Sequence, residues 1–154
     1  MRAYRDIAMV AAAQASCFLL LTFLEPRFVV IHLYQSLVYI ALLVMFFYSE
    51  DRWAYMIGIL NSVVWLGLIW ISPILMESID TLRKFRTGSG TAILVSLMAF
   101  ATVLLAMLMI VLCVERWRKE YAGLGKGRST FLVSLGIVLA YYGIFMRWFW
   151  AMIP

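Results

Sequence analysis

Five long apolar blocks dominate the chain, and short polar or glycine-rich segments separate them. The blocks cover residues 7–24, 28–48, 53–75, 91–114 and 131–150. A helix crosses a hydrocarbon layer about 30 Å thick with about 20 residues, each rising about 1.5 Å. Strands of a membrane barrel would instead alternate apolar and polar residues. The sequence therefore predicts an all-α integral membrane bundle of five transmembrane helices, in one domain that covers residues 1–154.

The blocks end at residues that interrupt a helix or a span. Pro26 ends the first, because proline cannot continue a helix interior. The charged segment 49–52 ends the second, and links this short make the first three helices antiparallel neighbours. The glycine-rich segment 122–127 precedes the fifth block, whose helix Ser129 or Thr130 can cap.

The segment between the third and fourth blocks has an amphipathic pattern. Its apolar positions are Leu75, Ile79 and Leu82, and its charged positions are Glu77, Asp80 and Arg83. This spacing predicts a short helix in the membrane interface. The alternative is a frayed extension of the third helix.

Beyond the fourth block the chain becomes charged but keeps helical spacing. Glu115 with Lys119, and Arg116 with Glu120, are opposite charges four residues apart. Such pairs stabilise a helix, so the fourth helix should continue into water as far as Tyr121.

Composition narrows the possible functions. The chain is 66% hydrophobic and 14% charged, and its net charge of +5 comes from cations between the apolar blocks. Anionic membrane surfaces attract such loops, so the charge indicates lipid contact and not nucleic acid. Cys17 and Cys113 lie inside apolar blocks, and with one histidine they cannot complete a zinc site. We expect no metal and no cofactor, although a bound lipid is compatible with this composition.

The distribution of Lys and Arg predicts the orientation. With the N-terminus inside, the inner segments carry eight of these cations and the outer segments five. The positive-inside rule therefore favours an inner N-terminus and an outer C-terminus. No organelle-targeting segment is evident, so the expected location is the cytoplasmic membrane of a prokaryote.

Two polar residues lie deep within predicted spans. Gln14 and Asn61 fall at similar depths when their helices are aligned by rise per residue. A hydrogen bond between the two amides would contribute about 1 kcal/mol to helix association. We interpret the pair as structural, with a ligand contact as the alternative.

A second group of polar residues is expected near the opposite membrane surface. It contains His32, Gln35, Ser36, Arg147 and Glu25. Ionisable groups near a bilayer face a cavity or pair with one another, so this group is the candidate ligand site. The alternative is that the carboxylates are solvated, Arg147 reaches the headgroups and His32 satisfies a backbone carbonyl.

Three helices carry small residues at four-residue or similar spacing, which lets helix backbones approach closely. These residues are Ala11 and Ala15, Gly58 and Ser62, and Gly136, Ala140 and Gly143. Some of these faces should pack inside the bundle, and the others should be free to meet other subunits or a second copy of the chain.

No catalytic motif is evident, and no acidic residue or lysine lies in the middle of a span. A pump or antiporter would normally need one. The sequence therefore favours a non-catalytic multispan subunit or assembly component of a larger membrane complex. The alternatives are a transport component that binds a small solute or lipid near His32, and a lipid-modifying membrane enzyme.

Overall fold

The helical architecture follows the apolar blocks. The structure is a computed structural model that describes residues 5–48, 51–71, 74–83, 90–121 and 127–152. Its helices are α1 Arg5–Leu24, α2 Val29–Phe47, α3 Asp51–Ile71, α4 Ile74–Arg83, α5 Gly90–Glu120 and α6 Gly127–Met152. All except α4 are long and apolar enough to cross a membrane. The predicted all-α bundle with five membrane-spanning helices is confirmed.

A tight turn reverses the chain between α1 and α2. The amide of Glu25 donates to the carbonyl of Leu21, 2.8 Å away, and completes the last turn of α1. Pro26 then opens a one-turn 3₁₀ helix, Pro26–Phe28. The residue before a proline is biased away from helical geometry, and Glu25 has φ −126° and ψ 75°. The proline therefore ends α1 at the predicted position.

The segment after α3 forms a helix of its own. Helix α3 ends at Ile71 and α4 begins at Ile74, so Leu75 belongs to α4 and does not end the third span. Helix α4 packs mainly against α5 and touches α3 little. The structure thus has a separate amphipathic helix in place of a frayed extension of α3.

Two further boundaries concern α5 and α6. Helix α5 continues to Glu120, in agreement with the predicted charged extension. Helix α6 begins at Gly127, so Ser129 and Thr130 lie within its first turn and do not cap it. The first amides of a helix have no hydrogen-bond partner within the helix, and glycine is tolerated at this end. Helix α6 can therefore begin at Gly127, before Ser129.

The five spanning helices form a closed ring. Neighbours contact each other in the order α1, α2, α6, α3 and α5, and α5 returns to α1. Helices α2 and α3 also touch across the ring. All five spanning helices therefore contribute residues to the centre of the ring.

Aromatic side chains fill much of this centre. Phe18 stacks on Tyr39 with ring centroids 5.8 Å apart, and it meets the edge of Trp65 at 5.2 Å. These contacts join α1, α2 and α3. Trp65 is partly buried and packs against this core.

An ion pair joins the start of α1 to the charged extension of α5. An Nη of Arg116 lies 3.0 Å from a carboxylate oxygen of Asp6. The contact places the first turn of α1 beside the end of α5, so these two helices are antiparallel. Pairs this exposed contribute about 0–1 kcal/mol, so this one helps orientation more than stability.

Close packing at Gly58 gives a test of the ring. A Cβ added there would lie 3.1 Å from the Sγ of Cys113 on α5, whereas one added at Gly67 on the same helix would meet nothing within 4 Å. We expect Gly58→Leu to lower the free energy of unfolding by about 1–3 kcal/mol through overpacking. The measurement is reversible unfolding in detergent. Gly67→Leu is the matched control and should stay within about 0.5 kcal/mol of the wild type. Equal effects of the two variants would contradict this packing of α3 on α5.

Candidate functional site

Two residues of the predicted polar group meet at the turn between α1 and α2. The Nε2 of His32 lies 3.2 Å from a carboxylate oxygen of Glu25. The imidazole is 13% exposed and the carboxylate 33%, so the pair is sheltered but reaches the surface. The ring of Phe28 also stands at a steep angle to the imidazole, with centroids 6.4 Å apart. This pair fixes the turn at the start of α2.

The other three residues of that group have surroundings of their own. Gln35 is buried and belongs to the centre of the ring. Ser36 donates its hydroxyl to the carbonyl of Leu33 on its own helix, at 2.7 Å. Arg147 is exposed, and no ion pair between described residues includes it. The structure therefore pairs His32 with Glu25, and no hydrogen bond or ion pair among the described residues joins this pair to Gln35, Ser36 or Arg147.

A larger polar cluster lies at the centre of the ring. The side-chain nitrogen of Gln14 donates to the backbone carbonyl of Thr102 at 3.1 Å and to the hydroxyl of Tyr39 at 3.4 Å. One amide thus connects α1 with α2 and α5. Gln14 is 0% exposed, so these bonds are shielded from water outside the bundle.

The same cluster extends to α3 and α6. The side chain of Asn61 lies beside the hydroxyl of Tyr39, so Gln14 and Asn61 meet at this tyrosine and not through a direct bond between their amides. The hydroxyl of Tyr142 donates to the backbone carbonyl of Asn61 at 3.4 Å, and Gln35 lies beside the same hydroxyl. We call Gln14, Gln35, Tyr39, Asn61, Thr102 and Tyr142 the polar core. It includes residues from all five spanning helices.

Carboxamides and hydroxyls behave differently in these helices. Hydroxyls reach their own backbone: Thr22, Ser96 and Thr102 each donate to a carbonyl three or four residues earlier. A carboxamide buried between helices depends mostly on partners outside its own helix. The Gln14 carboxamide therefore links helices, whereas these three hydroxyls bond within their own helices.

Sequence reasoning missed three residues of the polar core, namely Tyr39, Thr102 and Tyr142. One signal could have indicated Tyr39, because it lies four residues after Gln35 and so shares its helix face. Thr102 contributes a backbone carbonyl to Gln14, and no side-chain pattern predicts that contact. Tyr142 adjoins Tyr141, and the sequence does not reveal which of the two faces inwards.

Tyr141 instead fastens α6 to α2. Its ring stacks on that of Tyr34 with centroids 4.4 Å apart. Each hydroxyl donates to the backbone carbonyl of the other residue, and the bond from Tyr34 is 3.0 Å long. Helices α2 and α6 otherwise share few contacts, so this reciprocal pair is their main connection.

The three small-residue faces have different surroundings. Ala11 and Ala15 are buried in the core, and Gly58 and Ser62 are buried where α3 meets α5. Gly136, Ala140 and Gly143 on α6 are all exposed. Two faces are therefore used inside the bundle, and the face on α6 lies on its outer surface.

A shallow groove lies between α2 and α6. It is lined by Ile31, Tyr34, Ile144 and Phe145 and is too shallow to enclose a water molecule. Its lining is mainly apolar and includes neither His32 nor Arg147. A surface of this kind can lie against a lipid tail but does not enclose one.

In the part of the chain that the structure describes, no three residues among His, Cys, Asp and Glu come close enough together to hold a metal ion. Cys17 and Cys113 are both free thiols. The described polar groups therefore offer neutral hydrogen-bond donors and acceptors, with ionic pairs confined to the helix ends.

The fold and these sites define a class: the chain is a multispan, α-helical integral membrane protein. Comparison with protein-family models, curated proteins and solved structures gave no significant match. The contacts and surfaces of this chain are therefore the basis on which its function is inferred.

The hydroxyl of Tyr39 provides a test of the polar core. Tyr39→Phe keeps the ring but removes the group that accepts a hydrogen bond from Gln14, so we expect the free energy of unfolding to fall by about 1 kcal/mol. Unfolding in mixed micelles measures the change. Tyr48→Phe is the control, because Tyr48 is 79% exposed and should tolerate the same deletion within about 0.5 kcal/mol. A similar loss in both variants would show that the buried hydroxyl has no special role.

Proposed function

We propose that this protein is a non-catalytic multispan subunit or assembly component of a larger membrane complex. The observation that carries the proposal is the outward small-residue face of α6, which comprises Gly136, Ala140 and Gly143. A Cβ added at either glycine would meet nothing within 4 Å, so nothing in the described chain covers this face. Another helix can approach such a surface closely, which favours association within a membrane.

The outer surface of α5 supports the proposal by contrast. Its exposed apolar side chains are large: Leu94, Leu97, Leu104, Met107, Leu108 and Val111. Such side chains suit contact with lipid tails. The face on α6 is flat at its centre, although large apolar residues such as Leu132 and Ile144 flank it. The two surfaces therefore favour different neighbours, lipid for α5 and a protein helix for α6.

Arg147 adds a charged end to this face. It follows Gly143 by four residues and Gly136 by eleven, so helical periodicity places it on the same side of α6. It is exposed. A partner helix with a carboxylate near its membrane surface would complement this arrangement, and anionic lipid headgroups would do so in the free protein.

Substitution of Gly136 tests the proposed partner surface. We expect Gly136→Leu to block close approach of a partner helix and so to remove partner proteins that co-purify with the tagged chain in mild detergent. The measurement is mass spectrometry of complexes isolated at native abundance. Gly67→Leu is the matched control, because Gly67 is also exposed with open space at its Cβ. Identical partner recovery from the wild type and both variants would contradict docking at this face.

The groove between α2 and α6 favours a second candidate function, a lipid-binding transport component. Its apolar lining by Ile31, Tyr34, Ile144 and Phe145 gives a shallow surface against which one acyl chain could lie. Native mass spectrometry separates the two functions. A chain that has no partner protein and carries one defined lipid would support lipid binding over the subunit role. The lipid should be lost in Ile144→Trp and kept in Ile137→Trp. Ile137 is a suitable control because it is exposed on the same helix.

We further propose a location in the cytoplasmic membrane of a prokaryote, with the N-terminus inside and the C-terminus outside. Eight of the 13 Lys and Arg residues fall on the inner side in this orientation, as the positive-inside rule favours. Reporter fusions to the C-terminus test the orientation. Alkaline phosphatase fused there should be active and green fluorescent protein dark, and the reverse pattern would overturn the proposed topology.

A further inference from the structure

All the carboxamide side chains of this chain lie in one place. The sequence has one asparagine and two glutamines, Asn61, Gln14 and Gln35. Their exposures are 0%, 0% and 1%, and they belong to three different helices. In a membrane protein with loops and exposed helix ends, this concentration at the centre of the bundle calls for an explanation.

The hydrogen bonds within the described chain leave most of these amides unpaired. A carboxamide offers two donor hydrogens and an oxygen with two lone pairs. Gln14 uses its nitrogen, but its Oε1 has no partner among the described residues. The carboxamides of Gln35 and Asn61 make no hydrogen bond of good geometry there, although the hydroxyls of Tyr142 and Tyr39 lie beside them. Buried polar groups are nearly always hydrogen-bonded, because desolvation without compensation is costly.

The unpaired atoms determine which hydrogen-bonding groups a bound molecule must carry. Three are oxygens that accept hydrogen bonds, and two are nitrogens that donate them. The hydroxyls of Ser62 and Ser134 are also buried without a partner in the described part of the chain. A molecule that serves this set must both donate and accept.

Charge and size restrict the molecule further. The polar core contains no ionisable acid or base that would neutralise an ion, since Asp6, Glu25 and the cations lie near the helix ends. A buried ion without a counter-charge is strongly disfavoured. The carboxamides are also almost completely enclosed, so the molecule must be small. Water meets all of these conditions, and internal waters typically make about three hydrogen bonds to such groups.

We propose that the polar core is a binding site for internal water, held by the side chains of Asn61 and Gln35 and by the Oε1 of Gln14. The water completes the hydrogen bonds of the carboxamides and links the helices that carry them. This proposal is independent of the partner surface on α6, because it concerns the opposite, inner side of the bundle.

The small number of carboxamides makes a direct test possible. A chain labelled with ¹⁵N only in the side chains of Asn and Gln gives one pair of NH₂ resonances for each of these three residues. Gln35→Leu removes one of the two glutamine pairs and so assigns the other. Transfer of magnetisation from water to these groups is measured by NMR of the protein in lipid bilayers. The control is the backbone amide of Cys113, observed in a second sample labelled with ¹⁵N at cysteine, because this residue is 0% exposed and lies outside the polar core.

We expect water cross-peaks at the side-chain amides of Asn61 and Gln35 and none at the backbone amide of Cys113. Absence of water contact at both side chains would overturn the proposal and show that the amides are paired within a dry core. Contacts to protons of lipid or another solute in place of water would overturn it as well.

A second variant guards against a false positive. The hydroxyl protons of Tyr39 and Tyr142 exchange with water and can relay magnetisation to the adjacent amides. The cross-peaks are therefore measured again in Tyr39→Phe/Tyr142→Phe. Persistence of the water contacts would support direct binding, whereas their complete loss would attribute them to the hydroxyls and contradict the proposal.

Discussion

The burial of the Gln14 amide is the constraint on which the arrangement of the helices depends. A polar side chain at this depth must find hydrogen-bond partners within the bundle, because a lipid interior supplies none. Gln14 finds them on α2 and α5, at Tyr39 and at the carbonyl of Thr102. Apolar packing alone would select an arrangement weakly, since lipid tails are as apolar as the side chains. The polar core supplies the directional contacts that apolar packing lacks.

The remaining features follow from a ring closed around this centre. Ala11, Ala15 and Gly58 are buried within the bundle and allow α1 and α3 to approach their neighbours. Helix α6 lies outside the closest contacts and is held by Tyr142 at the centre and by Tyr141 against α2. Among the residues that the structure describes, none covers the opposite face of α6 at Gly136 or Gly143. The contacts that hold the inner side of α6 against the bundle thus leave its outer side as the surface for which a partner is proposed.

Most of the fold was predictable from the sequence, whereas little of the site was. Apolar block length, Pro26 and the charged loops determine the number of spans and their ends. Alignment by helical rise placed Gln14 and Asn61 at one depth, and the structure does place both beside Tyr39. The rotation of each helix is not encoded in spacing alone. For this reason helical spacing did not reveal that Gln35 is buried in the bundle whereas Arg147 is exposed on α6.

A double-mutant cycle between Gln14 and Asn61 tests most directly whether the polar core couples the helices. The free energy of unfolding is measured for Gln14→Met, Asn61→Leu and the double variant in the same bilayer or detergent. We expect the two substitutions to be non-additive, with a coupling energy of about 1 kcal/mol, because both amides act through the same buried cluster. Strict additivity of the two single variants would contradict the central role assigned to the polar core.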